Sequence, residues 1–311
     1  MLVELSEELR ELIGTRVERV SPEDYPMGDA AGFLRKYVVP SRPAVFRGAV
    51  ERERWRTSPW ANAEYLEERV GDCEVTVAFT PDGYADALVH DKGSGREVFA
   101  QPFERTMKFA EFLAALKGRE DGGGVPYLSA QNSSLSSELP ALLEDCGVDV
   151  PFATEAFGSP PEAVNIWIGD ERSVTTMHRD HYENLYFVVT GIKTFMLLPP
   201  TDSFRLGMRS APAARYDRGL KLDVEDPLRL VRWCPIYPNS PPSAYGPGPP
   251  PMQVTVRAGE ALYLPAMWLH AVSQASDEDG HPCIAINYWY GMDMCHTYPY
   301  VSFCEKLTRV V

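Results

Sequence analysis

His178 and Asp180 stand one residue apart in "TTMHRDHYENLYFVVTGIKTFMLLPP", the stretch from Thr175 to Pro200. On a β-strand, residues i and i+2 face the same side, ~7 Å apart along the chain, so this pair can grip one metal ion from one face. A third ligand must then come from a distant strand. His270 fits that role in "AGEALYLPAMWLHAV", where a Gly turn, an apolar strand and a Pro-led bend precede it. Two histidines and a carboxylate make a facial triad on iron(II) and leave three adjacent positions open, as an oxygenase needs. A closed structural zinc site would take a fourth protein ligand, usually Cys or His, and no cysteine lies near either motif.

H-x-D alone occurs by chance in many sequences; Lys193 adds weight to it. This lysine interrupts an apolar run, "VVTGIKTF", read as a hairpin around Thr190 and Gly191. An amine buried inside a barrel needs an anion. A dicarboxylate keto acid would supply one, chelating the metal at one end and pairing with Lys193 at the other. Thr175, three residues before His178, could hydrogen-bond the same carboxylate. The alternative is a lysine that snorkels to the barrel rim. His181 faces away from His178 if the strand is regular, and His90, His281 and His296 lie in charged or turn-like sequence. These four are left out of the metal shell.

The elements that must carry these residues are strands. From residue 160 onward, "AVNIWIGD", "SVTTMHRDH", "NLYFVVTG", "IKTFMLLPP", "MQVTVRAGE", "ALYLPAMWLHAVSQ" and "PCIAINYWYG" are rich in β-branched and aromatic residues, and most are bounded by Gly or Pro. Short strands with tight turns mark a sandwich or barrel. The proline-rich 237–251 reads as a surface loop, with the substrate side as one place for it. The first half is mixed. Residues 1–36 read as helical with a break at "SPEDYP", 42–50 and 74–80 as strands, and "WANAEYLEERVG" and 106–118 as helices. "REDGGG" (119–124) reads as a loop and "SSELPALLEDCG" as a short helix.

A chain of 311 residues with 44% apolar and 24% charged residues is ordinary for a soluble globular protein. A net charge of −14 argues against binding nucleic acid through its phosphates; it suits a basic protein partner, though it can serve solubility alone. The six cysteines are scattered without C-x-x-C pairs, which reads as reduced intracellular thiols. Four glutamates in the first 14 residues argue against a targeting peptide. Without an apolar run of ~20 residues, a cytoplasmic protein is expected, with nuclear entry also open.

The pattern T-x-x-H-x-D-x-x-x-N-x-x-x-x-x-x-G-x-K from Thr175 to Lys193, then "LLPP", "AGEALYLPAMWLH" and "INYWY", resembles the JmjC family of iron(II)- and 2-oxoglutarate-dependent oxygenases over roughly 125–292. Upstream, "RPAVFRGAV", "VTVAFTPDGYAD" and "WANAEYL" extend the likeness, within the small JmjC-only protein hydroxylases, to nearly the whole chain. The resemblance implies a double-stranded β-helix over 125–311, with 1–124 packed on it as one compact unit. It implies iron on His178, Asp180 and His270, and the distal carboxylate of 2-oxoglutarate on Lys193, Thr175 and Tyr127. Asn184 would lie near the cosubstrate, and Asn287 and Trp289 match an N-x-W motif beside the iron. The proline-rich loop and the charged "SDEDGHP" depart from a plain match and leave Asn287 less secure. Iron(II), 2-oxoglutarate and dioxygen would be consumed or bound, with ascorbate as reductant in vitro. The implied reaction is C-hydroxylation of a lysine in another protein, with developmentally regulated GTP-binding proteins as candidate targets. An acidic pocket for the lysine ammonium is expected, but the sequence does not single out its acid. N-methyl-lysine or N-methyl-arginine demethylation, a non-catalytic cupin-like binding module, and a zinc or iron cupin without 2-oxoglutarate are the alternatives. A monomer or weak homodimer is expected.

Overall fold

The computed structural model describes residues 1–118, 123–131 and 133–307, so most of the loop expected at 119–124 lies outside the described residues. Two antiparallel-dominated sheets form the centre. One runs, in spatial order, through Glu18–Val20, Ala44–Phe46, Ala261–Leu264, Tyr182–Thr190, Cys283–Gly291 and Ala163–Gly169. The other runs through Met252–Arg257, Ile192–Leu198, Leu269–Ala275, Val174–His178 and Tyr84–Ala85. Each of the seven apolar segments after residue 160 forms a strand, with the "ALYLPAMWLHAVSQ" segment split into two at its Pro-led bend. The rolled pair of sheets is the double-stranded β-helix that the resemblance implied.

The strand Tyr182–Thr190 explains why its sequence is a continuous apolar run rather than an alternation. Leu185 and Phe187 face outward into a cluster with Phe46 and Tyr263 of the same sheet and Phe33 and Phe109 of the helical layer. Tyr186 and Val188 face inward, against Phe195, Leu197 and Val254 of the opposite sheet. Both faces are buried, so both must be apolar. The same alternation along Cys283–Gly291 sends Ile284, Ile286, Tyr288 and Tyr290 to the helices. Asn287 and Trp289, of the opposite parity, are thereby left for the interior. The outer layer packs through aromatic edges: the Phe33 ring meets those of Tyr263 and Phe152 in T-shaped contacts at 5.0 and 5.1 Å, a favoured aromatic geometry.

Three local expectations are corrected. Thr190 and Gly191 do not form a hairpin within one sheet: the strand before the turn pairs with Ala261–Leu264 and Cys283–Gly291, and the strand after it with Met252–Arg257 and Leu269–Ala275. The turn carries the chain from one sheet to the other. The helix expected over 106–118 begins only at Phe109, because Phe103–Lys108 pairs with Glu74–Thr80 in a separate three-stranded sheet. Residues 18–20, expected to be helical, form a strand beside Ala44–Phe46. All six cysteines are free thiols, and no helix among the described residues is long and apolar enough to cross a membrane.

Gly191 is required at the crossover. Its φ is 69°, and an added Cβ would lie 2.6 Å from the Ala275 carbonyl oxygen and 2.9 Å from Cys283 Cα. Gly191→Ala should therefore lower unfolding free energy by more than about 1 kcal/mol, since the left-handed conformation and the backbone clash add. Urea titration of the two proteins measures the difference.

Candidate active site

His178 ends its strand and stands directly opposite His270 on the antiparallel neighbour. The pairing slips by one residue between Thr175 and His178. That bulge matters, because residues three apart on a regular strand face opposite sides; here both Thr175 and His178 line one cavity. Asp180 lies two residues on, just past the strand end, and not within the regular strand that its spacing suggested. Its backbone is held by the Met267 N–H, which donates to the Asp180 carbonyl at 2.9 Å. Met267 takes a left-handed φ of 67°, a conformation that costs a side-chain-bearing residue roughly 1–2 kcal/mol. This strained bend after Pro265 ties the Asp180 loop to the strand that carries His270.

The two imidazoles are oriented alike. His178 Nδ1 bonds the Thr176 carbonyl at 2.8 Å, and His270 Nδ1 bonds the Trp268 carbonyl at 2.9 Å. A carbonyl only accepts, so each Nδ1 carries the proton and each Nε2 keeps a free lone pair. These nitrogens face the Asp180 carboxylate at 3.8 Å from His178 and 3.5 Å from His270. Burial, then the neighbouring His270, pull the His178 pKa down to about 4 against the pull of Asp180. Burial raises the Asp180 carboxyl, but His178 and His270 outweigh it and hold it at about 2. At neutral pH His178 is therefore a neutral imidazole and Asp180 a carboxylate, both ready to bind a cation without first losing protons. The donor set and its shared focus fit a divalent metal.

Lys193 lies deeper, on the strand beyond the one that carries His270, and is 1% exposed. Its ammonium donates to Tyr127 Oη at 3.1 Å and to Gln274 Oε1. Among the described residues no carboxylate pairs with it. Gln274 Nε2 is buried and has no partner. An ammonium, a phenol hydroxyl and an amide N–H thus converge without an anion, which fits the carboxylate of an acid ligand. Gly169 makes room for this corner: an added Cβ would lie 2.5 Å from Gln274 Nε2 and 2.7 Å from the Tyr127 ring. Gly169→Ala should weaken binding of such an acid by about five- to 150-fold, the equivalent of the 1–3 kcal/mol that overpacking costs, as read by its Kd.

The remaining expected residues also gather here. Asn184, Asn287 and Trp289 line the cavity from the six-stranded sheet. Trp167 Nε1 donates to Asn287 Oδ1 at 2.7 Å, and Asn287 Nδ2 donates to Asn184 Oδ1 at 3.3 Å. Trp289 stacks on Tyr182 with ring centroids 4.8 Å apart. His90, His181, His281 and His296 stay outside. His281 forms a second carboxylate group with Asp277 and Asp279, in a loop where Asp277 caps backbone N–H groups. Sequence reasoning missed Gln274, Trp167, Tyr186 and Asp86. Gln274 carried a signal, since His270, Val272 and Gln274 share one face of an alternating strand.

A cupin-like domain is matched over residues 30–296. The chain belongs to the cupin-like JmjC family of oxygenases. It is 40% identical to the Arabidopsis thaliana "Lysine-specific demethylase JMJ32", over 96% of this chain and 89% of that protein. It is also 40% identical to the Homo sapiens "Bifunctional peptidase and (3S)-lysyl hydroxylase JMJD7", over 89% of this chain and 86% of that protein. The Dictyostelium discoideum "JmjC domain-containing protein E" is 36% identical over 90% and 86%.

Proposed function

We propose that this protein is an iron(II)- and 2-oxoglutarate-dependent hydroxylase that places one oxygen atom on a carbon of a lysine side chain in another protein. The observation that carries the reading is the pairing of two sites in one cavity. His178, Asp180 and His270 offer three ligand atoms, and Lys193 waits beyond them without an anion. Iron with 2-oxoglutarate and dioxygen would supply oxidative decarboxylation to succinate and carbon dioxide, one oxygen atom going to succinate and the other into a C–H bond. The protein's residues do the rest. His178, Asp180 and His270 would hold the metal, and their Nδ1–carbonyl bonds fix each ring. Lys193, Tyr127 and Thr175 would take the distal carboxylate and so set the cosubstrate's orientation. Asn184, Asn287 and Trp289 would wall the cavity from the other sheet and limit water.

The similarity to a named lysyl hydroxylase supports lysine as target, and a developmentally regulated GTP-binding protein is the first to try. The equal identity to a named demethylase favours N-methyl-lysine demethylation as the second reading. Incubation with iron(II), ascorbate, 2-oxoglutarate and matched unmethylated and methylated lysine proteins separates them by mass spectrometry. One added oxygen on unmethylated lysine is the expected product; methyl loss with formaldehyde would replace the first reading by the second.

A further inference from the structure

Asp86 is an acid on the cavity wall that the metal cluster leaves unused. Tyr84–Ala85 runs parallel to the start of Val174–His178, with Ala85 beside Thr175. Asp86 follows at once, next to Thr176. A chain of hydrogen bonds fixes it there: Trp233 Nε1 donates to Thr176 Oγ1 at 2.9 Å, and Thr176 Oγ1 donates to the Asp86 carbonyl at 2.7 Å. Trp233 in turn stacks parallel to His178 at 6.5 Å. The Asp86 backbone is held in the left-handed region, at φ 49°. Asp86 lines the same cavity as His178, Asp180 and His270.

The Asp86 carboxylate makes no hydrogen bond or ion pair among the described residues. The nearby cation, Arg215, is already paired with Glu104 at 3.2 Å. Burial, with a smaller push from Glu104, raises the Asp86 pKa to about 6. A half-buried carboxylate on a left-handed backbone, with no protein partner, gains from a ligand that satisfies it. Besides Asp180, Asp86 is the one acidic residue among the described residues that line the cavity.

Building on the hydroxylase reading, we infer that Asp86 receives the ammonium of the target lysine and so makes unmethylated lysine the substrate class. An ammonium has three N–H donors for a carboxylate, whereas a trimethylated nitrogen has none. With the nitrogen engaged at Asp86, the stem carbons and not a nitrogen substituent are turned to the metal cluster. That favours oxygen insertion at carbon. Asp86 is a positioning residue for specificity; it takes no part in holding metal or cosubstrate.

The test uses the full chain with iron(II), ascorbate, 2-oxoglutarate and peptides from a glutamate-specific digest of a cell lysate, which keeps lysines internal. Mass spectrometry first identifies the peptides that wild-type protein oxidises. Synthetic versions are then made with lysine, trimethyl-lysine or norleucine at the modified position. Wild-type protein should prefer lysine, and Asp86→Asn should raise the peptide KM by at least about tenfold, as expected for a lost hydrogen bond to a charged group. Asn suits a left-handed backbone better than other side chains do, and Asp86→Glu should restore part of the preference. An unchanged lysine-to-norleucine ratio in Asp86→Asn would overturn the inference, as would oxidation by wild type at an uncharged residue. Absence of all 2-oxoglutarate turnover in wild-type protein is a different result and would instead remove the hydroxylase reading.

Discussion

Asp180→Ala should abolish metal-dependent turnover of 2-oxoglutarate and leave a folded protein. Loss of a group that merely orients a ligand typically costs 10–100-fold in metal affinity or activity, so loss of a ligand itself should exceed about 100-fold. The carboxylate is the sole anion of the cluster, and imidazole ligands offer a divalent cation no charge compensation. Removing it also frees the histidines, whose Nε2 atoms face it at 3.5 and 3.8 Å. The fold should survive, because Met267 is anchored to the backbone carbonyl of residue 180, which alanine retains. Metal analysis after dialysis, alongside succinate production, measures both effects. Full turnover in Asp180→Ala would show that the cluster is not the metal site.

Lys193→Met should have opposite effects on binding and on stability. The buried ammonium contributes the one full positive charge to the corner that would hold the distal carboxylate. Truncating one partner of a buried, hydrogen-bonded charge pair costs 2–5 kcal/mol or more, so 2-oxoglutarate affinity should fall at least about thirtyfold. Without ligand, the wild-type fold carries a desolvated ammonium with no counter-ion, at a penalty of several kcal/mol. Methionine keeps the length and removes that charge. The variant leaves the Gln274 oxygen without its bond, a cost of about 1–3 kcal/mol. The first effect exceeds the second, so the ligand-free variant should melt at the same temperature as wild type or above it. Wild type should gain thermal stability on adding 2-oxoglutarate and metal, and the variant should not. A variant that melts far lower without ligand would mean that Lys193 is a structural member of the core.

The strands that build the site were legible because their apolar runs are long, β-branched and ended by Gly or Pro. Arg209–Tyr216 was not. It contains Pro212 and alternates weakly, so its sequence argues against a strand, and only pairing with Glu97–Gln101, Leu222–Val224 and Leu230–Trp233 makes it one. The start of the helix read at 106 fails for the same reason: Phe103–Lys108 is a strand only through pairing with residues 24 to 34 positions upstream. His178, Asp180 and His270 could be picked out by residue type and spacing. The way they meet could not, because the bulge after Thr175 and the bend at Met267 are tertiary features. Lys193 was legible as a charge where none belongs. Asp86 was not, since an aspartate in "PDGYAD" looks like any turn acid until the sheet places it beside Thr176.

Titration calorimetry of 2-oxoglutarate into the manganese(II)-loaded protein shows whether the metal cluster and the Lys193 corner act as one site. Saturable binding at one site is expected, requiring the metal, lost in Asp180→Ala and weakened by at least about thirtyfold in Lys193→Met. Metal-loaded wild-type protein that fails to bind 2-oxoglutarate, or that binds it equally well after Lys193→Met, would contradict it.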